Sequence, residues 1–194
     1  MKKTDDLEIL KEQFKKLYIQ VRREYKKKWK RDLPIDEILF DRWERAKELG
    51  FGDKTSIYHN SYVFGKVKAG KNTWIGPFTI LDGTGGITIG DNCSISSGVQ
   101  IYSHNSVKWA VSNGKEKYEL KPVKIGNYCF IGPGSIIKNG ITIGKHSVVG
   151  ALSFVNKDIK PFSIAAGNPA KVIGKVSFKN KKAVFSYLKE KQEK

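Results

Sequence analysis

The stretch "KIGNYCFIGPGSIIKNGITIGKHSVVGALSFV", residues 124–155, repeats itself every six positions. Ile125, Ile131, Ile137, Ile143, Val149 and Val155 are all aliphatic. Glycine follows four of them, at Gly126, Gly132, Gly144 and Gly150. A period of six is neither the 3.6 of a helix nor the simple alternation of a strand. It fits a parallel β-helix in which each hexapeptide makes one short strand and one corner, and three hexapeptides close a triangular coil. The aliphatic residue points into the prism. A small or β-branched residue four positions later, such as Ser135, Ile141, Ser147 or Ser153, shares that interior.

The same period runs upstream through Ile57, Val63, Ala69, Ile75 and Leu81. After two extra residues it resumes at Ile89, Ile95 and Ile101. The full series is 14 hexapeptides, enough for between four and five coils. With coils about 4.8 Å apart the prism would be roughly 22 Å long. Cys93 and Cys129 hold the same inward offset in consecutive coils, so they are expected as stacked buried thiols.

Counting in threes assigns faces. Leu81 and Ile101 share one, Ile131 and Val149 a second, Ile89 and Ile125 the third. From Ile101 to Ile125 is 24 residues, one hexapeptide plus 18 extra. The extra residues must leave the prism as a loop, about 105–122, and loops of this length are often functional. His104 stands at its root, three residues after Ile101. Asp82 lies on the same face one coil earlier, with Thr84 at the corresponding corner. His146 has the same offset from Ile143, but on another face and beside no loop, and reads as a solvated surface residue. His59 reads as ordinary.

Residues 1–50 read as helical. Leu7, Leu10, Phe14, Leu17 and Val21 form an apolar stripe on a helix over residues 5–31, and Pro34 stops it. Residues 35–50 read as a second helix ending near Gly50. The stripe is expected to pack on the prism or on the second helix, with contact to an anionic membrane as the competing use. Residues 177–194 read as a short basic helix and tail.

The charge is uneven. Residues 1–31 carry 12 Lys and Arg against 5 Asp and Glu, residues 171–194 carry 8 against 2, and the 139 residues between carry 16 against 12. Such ends suit an anionic partner. They lack the aromatic interleaving of a nucleic-acid surface, so no nucleic-acid partner is expected. No apolar run is long enough for a transmembrane helix. No leader-like segment is seen, and two cysteines point to reduced thiols in the cytoplasm.

Residues 57–176 resemble the hexapeptide-repeat acyltransferase family. "FTILDGTGGITIGDNCSISSGVQIY" and the ending "AAGNPAKVIGKV", residues 165–176, resemble its sugar O-acetyltransferase branch. With "SHNSVKWAVSNG" the chain looks like acyltransferases of cell-surface polysaccharide synthesis. The resemblance implies a mainly β fold: a left-handed parallel β-helix over 51–176, assembled as a homotrimer. It implies acetyl-CoA as co-substrate, a carbohydrate acceptor and no metal. In that scheme a histidine takes the proton of a substrate hydroxyl, which attacks the thioester. His104 would be this base. Asp82, in "ILD", would bind the acceptor or orient the base, with Asn105 and Trp109 beside it. The donor would meet Phe130, Gly132 and Ala151 along its pantetheine, Lys157 and Lys171 at its phosphates, and Pro169 near its adenine. Base and donor groove fall on different faces, so the sites should be shared between subunits.

The chain departs from the family pattern in two places. Related enzymes carry the histidine a little later after the "IY" pair, and the asparagine expected near "WIGPF" is missing. The residue that orients His104 therefore stays unassigned at this level. Two further readings remain open beside O-acetylation: an N-acetyltransferase of amino sugars, and a non-catalytic scaffold. A zinc enzyme on the same prism would need three converging histidines, and His59, His104 and His146 fall on scattered coils and faces.

Overall fold

The computed structural model describes residues 2–188, with side chains from Asp6 onward. It divides into two units, 1–42 and 43–194.

In the larger unit the hexapeptide series becomes three parallel faces. The first face is built from Ser56–Ile57, Trp74–Ile75, Ser94–Ile95, Phe130–Ile131, Val148–Val149 and Ser163–Ala166. It holds six rungs, more than the four to five coils predicted, because "SIAA" adds a rung that the hexapeptide count left out. The second face stacks the start of Tyr62–Ala69 on the start of Ile80–Ile89, then Gln100–Tyr102, Ile136–Ile137 and Phe154–Val155. The third stacks the ends of the two long strands on Val123–Ile125 and Thr142–Ile143. All assigned face partners are confirmed by the register: Leu81 pairs Ile101, Ile131 pairs Val149, Ile89 pairs Ile125.

The repeat residues form the core. Ile57, Ile75, Leu81, Ile95, Ile101, Ile131, Ile137 and Val149 are fully buried. Burying each is worth about 1.5–3 kcal/mol. The small inward residues bridge coils: Thr73 Oγ1 donates to Gly90 O at 2.9 Å and Ser135 Oγ to Gly150 O at 2.8 Å. Cys93 and Cys129 are free, buried and stacked, each thiol donating to a carbonyl at 3.2 Å, Gly126 O and Gly144 O respectively. The glycine after the aliphatic residue is set by coil spacing. A Cβ on Gly132 would lie 2.5 Å from the Ala151 backbone nitrogen.

One corner is a column of left-handed residues: Asn72, Asn92, Tyr128, His146 and Phe162, with φ of 54°, 53°, 62°, 56° and 60°. His146 is not merely solvated there. Its ring is stacked between Tyr128 at 4.6 Å and Phe162 at 4.9 Å, with Phe178 edge-on at 5.2 Å.

The C-terminal segment corrects a prediction. Lys171–Lys179 and Lys182–Tyr187 are strands of an antiparallel hairpin, not a helix. The turn between them is Asn180-Lys181, both at positive φ (51° and 63°), which is the geometry of a two-residue hairpin. Lys171–Lys179 runs antiparallel to Ser163–Ala166 and so closes the prism edge. The tail beyond Leu188 lies outside the described residues.

Helix α1 spans Lys2–Trp29. Leu7, Leu10, Phe14 and Leu17 on its stripe are exposed. The following helix, α2 (Ile35–Leu39), has only five residues, about 7.5 Å of length, so it covers little of α1. The helix expected over 35–50 is broken: Phe40 is extended at φ −117° and ψ 140°, and α3 (Arg42–Glu48) starts anew. α3 belongs with the prism. Ala46 is in the core, and the Arg45 guanidinium donates to Tyr58 O and to Ser61 O. Among the described residues no helix is long and apolar enough to cross a membrane.

Candidate active site

Ser103 is the hinge of the site. It is fully buried; its N–H donates to Asp82 O at 3.0 Å and its hydroxyl to the same oxygen at 2.6 Å. The Ser103 hydroxyl also accepts the Gly85 N–H at 2.7 Å. The chain is thus fixed immediately before His104 and beside Asp82, one coil away.

From that anchor the His104 ring turns to Asp82. Nδ1 is buried and 3.2 Å from Asp82 Oδ2, within ion-pairing reach though off the line of a hydrogen bond. The histidine side chain keeps 25% of its exposure and the aspartate 14%, so the His104 edge away from Nδ1 meets solvent. The other carboxylate oxygen is already engaged. Asp82 Oδ1 accepts the Thr84 N–H at 3.1 Å and the Thr84 hydroxyl at 2.6 Å. Burial pulls the Asp82 carboxyl upward, but Thr84 and the neighbouring His104 outweigh it and hold it below its ordinary value. Asp82 is therefore an ionised partner facing the histidine at neutral pH.

The predicted loop leaves the prism here, with structure of its own. His104–Asn105 pairs antiparallel with Glu119–Leu120, and α4 (Val107–Val111) lies between. The Asn105 side-chain oxygen accepts the Val107 N–H at 2.8 Å, so it helps turn the loop. Trp109 meets Tyr118 edge-on at 5.4 Å, and Tyr118 in turn lies 6.2 Å from the His104 ring at 27°. Tyr102 contacts the ring edge-on from the other side at 6.4 Å. The loop is tied to the next coil by Asn139 Nδ2, which donates to Glu119 Oε2 at 3.0 Å.

The sequence reading missed Tyr118, Tyr102, Ser103 and Asn139. "DGT" carried a usable signal for Thr84, because an aspartate readily accepts the N–H two residues on. Nothing in the sequence marked Tyr118, which reaches the ring only because the loop returns beside its own root.

The six donor candidates fall into two groups. Lys157, Pro169 and Lys171 line one cavity of about 450 Å³, together with Asn156, Asp158 and Val172. Both lysines are exposed, and the Asp158 carboxylate lies on the same lining. Phe130 lies in a first-face strand, and Gly132 stacks against Ala151 at the corner that follows it. Phe130 is exposed. The prediction that base and donor occupy different faces holds for this second group and for Lys171, which pairs Ala166 on the first face, and fails for Lys157. Lys157 follows Val155, which stacks through Ile137 on Ile101, so it shares the corner of His104 two coils along.

A triangular prism of parallel hexapeptide coils is the architecture of the left-handed β-helix class. Residues 122–157 match the family model "Bacterial transferase hexapeptide (six repeats)", and residues 66–103 match "Hexapeptide repeat of succinyl-transferase". Both stretches lie within the prism and carry its hexapeptide repeat. The chain is 38% identical over 104 residues to a galactoside O-acetyltransferase of Escherichia coli, covering 53% of this chain and 51% of that protein. It thus spans about half the length of the curated relatives it matches. Its fold is also that of AntD, an N-acyltransferase from Bacillus cereus, in a mutant solved with dTDP and coenzyme A. There the TM-score is 0.60 at 22% identity, over 72% of this chain and 90% of that one. A hexapeptide-repeat acetyltransferase from Vibrio cholerae matches with a TM-score of 0.50 at 24% identity, over 88% of this chain and 92% of that one.

Proposed function

We propose that the protein is an acetyl-CoA-dependent O-acetyltransferase acting on a hydroxyl of a carbohydrate, in the synthesis of cell-surface polysaccharide. The observation that carries this reading is the His104–Asp82 pair, 3.2 Å apart at the root of the loop. Asp82 faces Nδ1 with its charge, and the exposed edge of the ring, with Nε2, is left to act on substrate. His104 accepts the proton of the acceptor hydroxyl as its oxygen attacks the thioester carbonyl. The tetrahedral intermediate collapses, the carbon–sulfur bond breaks, and the departing thiolate takes the proton back from His104. The charge of Asp82 stabilises the imidazolium between these steps, so it is a positioning residue rather than a proton carrier.

Lys157 and Lys171 hold the phosphates of acetyl-CoA, with Pro169 beside them. The second donor group, Phe130, Gly132 and Ala151, serves a neighbouring copy in a homotrimer, so that each site is shared between subunits. Trp109 and Asn105 border the acceptor through the loop. The enzyme works in the cytoplasm, where Cys93 and Cys129 stay reduced. The test is thiol release from acetyl-CoA across a panel of sugars and amino sugars, with the product bond read by NMR. An ester supports the reading. An amide formed on the amino sugars alone would replace it with N-acetylation.

A further inference from the structure

The second face carries an outward aromatic pair one coil before Asp82. Tyr62 and Phe64 alternate with the inward Val63, so both project from the same side of the strand. Their rings lie 6.2 Å apart and are nearly parallel, at 6°. Both are open, at 63% and 49% exposure. The register places Phe64 beside Asp82, and Asp82 beside Tyr102. Tyr102 contacts His104, and its hydroxyl donates to Gln100 Oε1 at 2.7 Å. An outward row therefore runs without interruption from Tyr62 and Phe64, through Asp82, to Tyr102 and His104, with rungs about 4.8 Å apart.

We propose that Tyr62 and Phe64 form a second acceptor subsite, a platform for a further pyranose ring of an oligosaccharide whose acetylated unit lies at Asp82 and His104. The proposal rests on the carbohydrate reading above and extends it from a single sugar to a glycan. Two exposed rings with parallel planes offer apolar faces to the flat C–H face of a pyranose, which binds by apolar burial without a charged partner. Carboxylate, amide and phenol groups further along the row supply the polar contacts that a glycan's hydroxyls require. A single sugar seated at Asp82 and His104 reaches Phe64 at most, and a second ring is needed to cover Tyr62 as well.

The test separates binding from turnover. The full-length His104→Ala protein is titrated with malto-, cello- and chito-oligosaccharides of increasing length, starting from the monosaccharide. The expected result is affinity in at least one series that rises about fivefold once a second or third sugar is present, the order of one aromatic contact. That gain disappears when Tyr62→Ala and Phe64→Ala are added, with an unchanged circular dichroism spectrum. In the otherwise unaltered enzyme, the ratio of monosaccharide to trisaccharide KM falls to near one when the same two substitutions are made. Length-dependent binding without any acetyl transfer would sink the transferase reading and leave the platform standing. Binding or transfer that ignores length in every series overturns the platform. So does a change in oligomeric state on the double substitution without a length effect, which would make the pair a contact between copies.

Discussion

His104 Nδ1 and Asp82 Oδ2 are 3.2 Å apart, brought together from consecutive coils by the stacking of Leu81 on Ile101. The histidine is aimed by a carboxylate that is itself held by Thr84. Replacing that carboxylate tests the aim without removing the base. Asp82→Asn keeps the shape and an acceptor for Thr84, so the fold should persist. Its kcat should fall by about 10²-fold or more, with the acetyl-CoA KM within a few-fold, measured by steady-state thiol release.

The pH dependence follows from the same carboxyl. Its folded value lies below the ordinary one, so ionised Asp82 contributes stability that is fully present above the unfolded value, about 3.9. That contribution is lost as pH falls through the lowered folded value. The stability difference between wild type and Asp82→Asn should therefore shrink as pH falls below about 4. Urea unfolding between about pH 5 and about pH 3 measures it; a difference that stays constant across that range would contradict the assignment.

Gly132 sets the separation of two coils. A Cβ there would sit 2.5 Å from the Ala151 backbone nitrogen, and backbone cannot swing aside. Gly132→Ala should cost about 1–3 kcal/mol and lower Tm by several degrees. Thermal unfolding by circular dichroism checks this.

The thiols are shielded by the prism. Contact with the Cys93 sulfur and burial both hold the Cys129 thiol above its ordinary range. Cys93 and Cys129 should resist a thiol reagent in the native protein and react fully in denaturant. Rapid labelling of the native state would show that the coils open there.

In the cavity proposed for the donor, Lys157→Ala with Lys171→Ala should raise the KM for acetyl-CoA about tenfold and leave kcat near wild type. Added salt should weaken the wild type toward the variant. Equal KM values at low salt would place the phosphates elsewhere.

The prism was legible because the repeat uses one physical rule many times: Ile75, Ile95, Ile131 and Val149 each occupy the same inward slot. Faces followed by counting, and with them the closeness of Asp82 to His104. What escaped lay where no repeat applies. The hairpin at Lys171–Tyr187 was hidden by its lysines, which read as a basic helix although Asn180-Lys181 marks a turn. The break at Phe40 has no glycine or proline to announce it. Tyr118 and Asn139 reach the site or its loop through tertiary contacts that no spacing encodes. His146 had the same offset as His104, and only the aromatic column around it shows how different its surroundings are.

The central claim is that His104 is the base. The most direct measurement is acceptor-dependent thiol release from acetyl-CoA by His104→Ala beside wild type, at saturating acceptor and with folding checked by circular dichroism. The account predicts a fall in kcat of about 10²–10⁴-fold. A folded His104→Ala protein that turns over at the wild-type rate would contradict it.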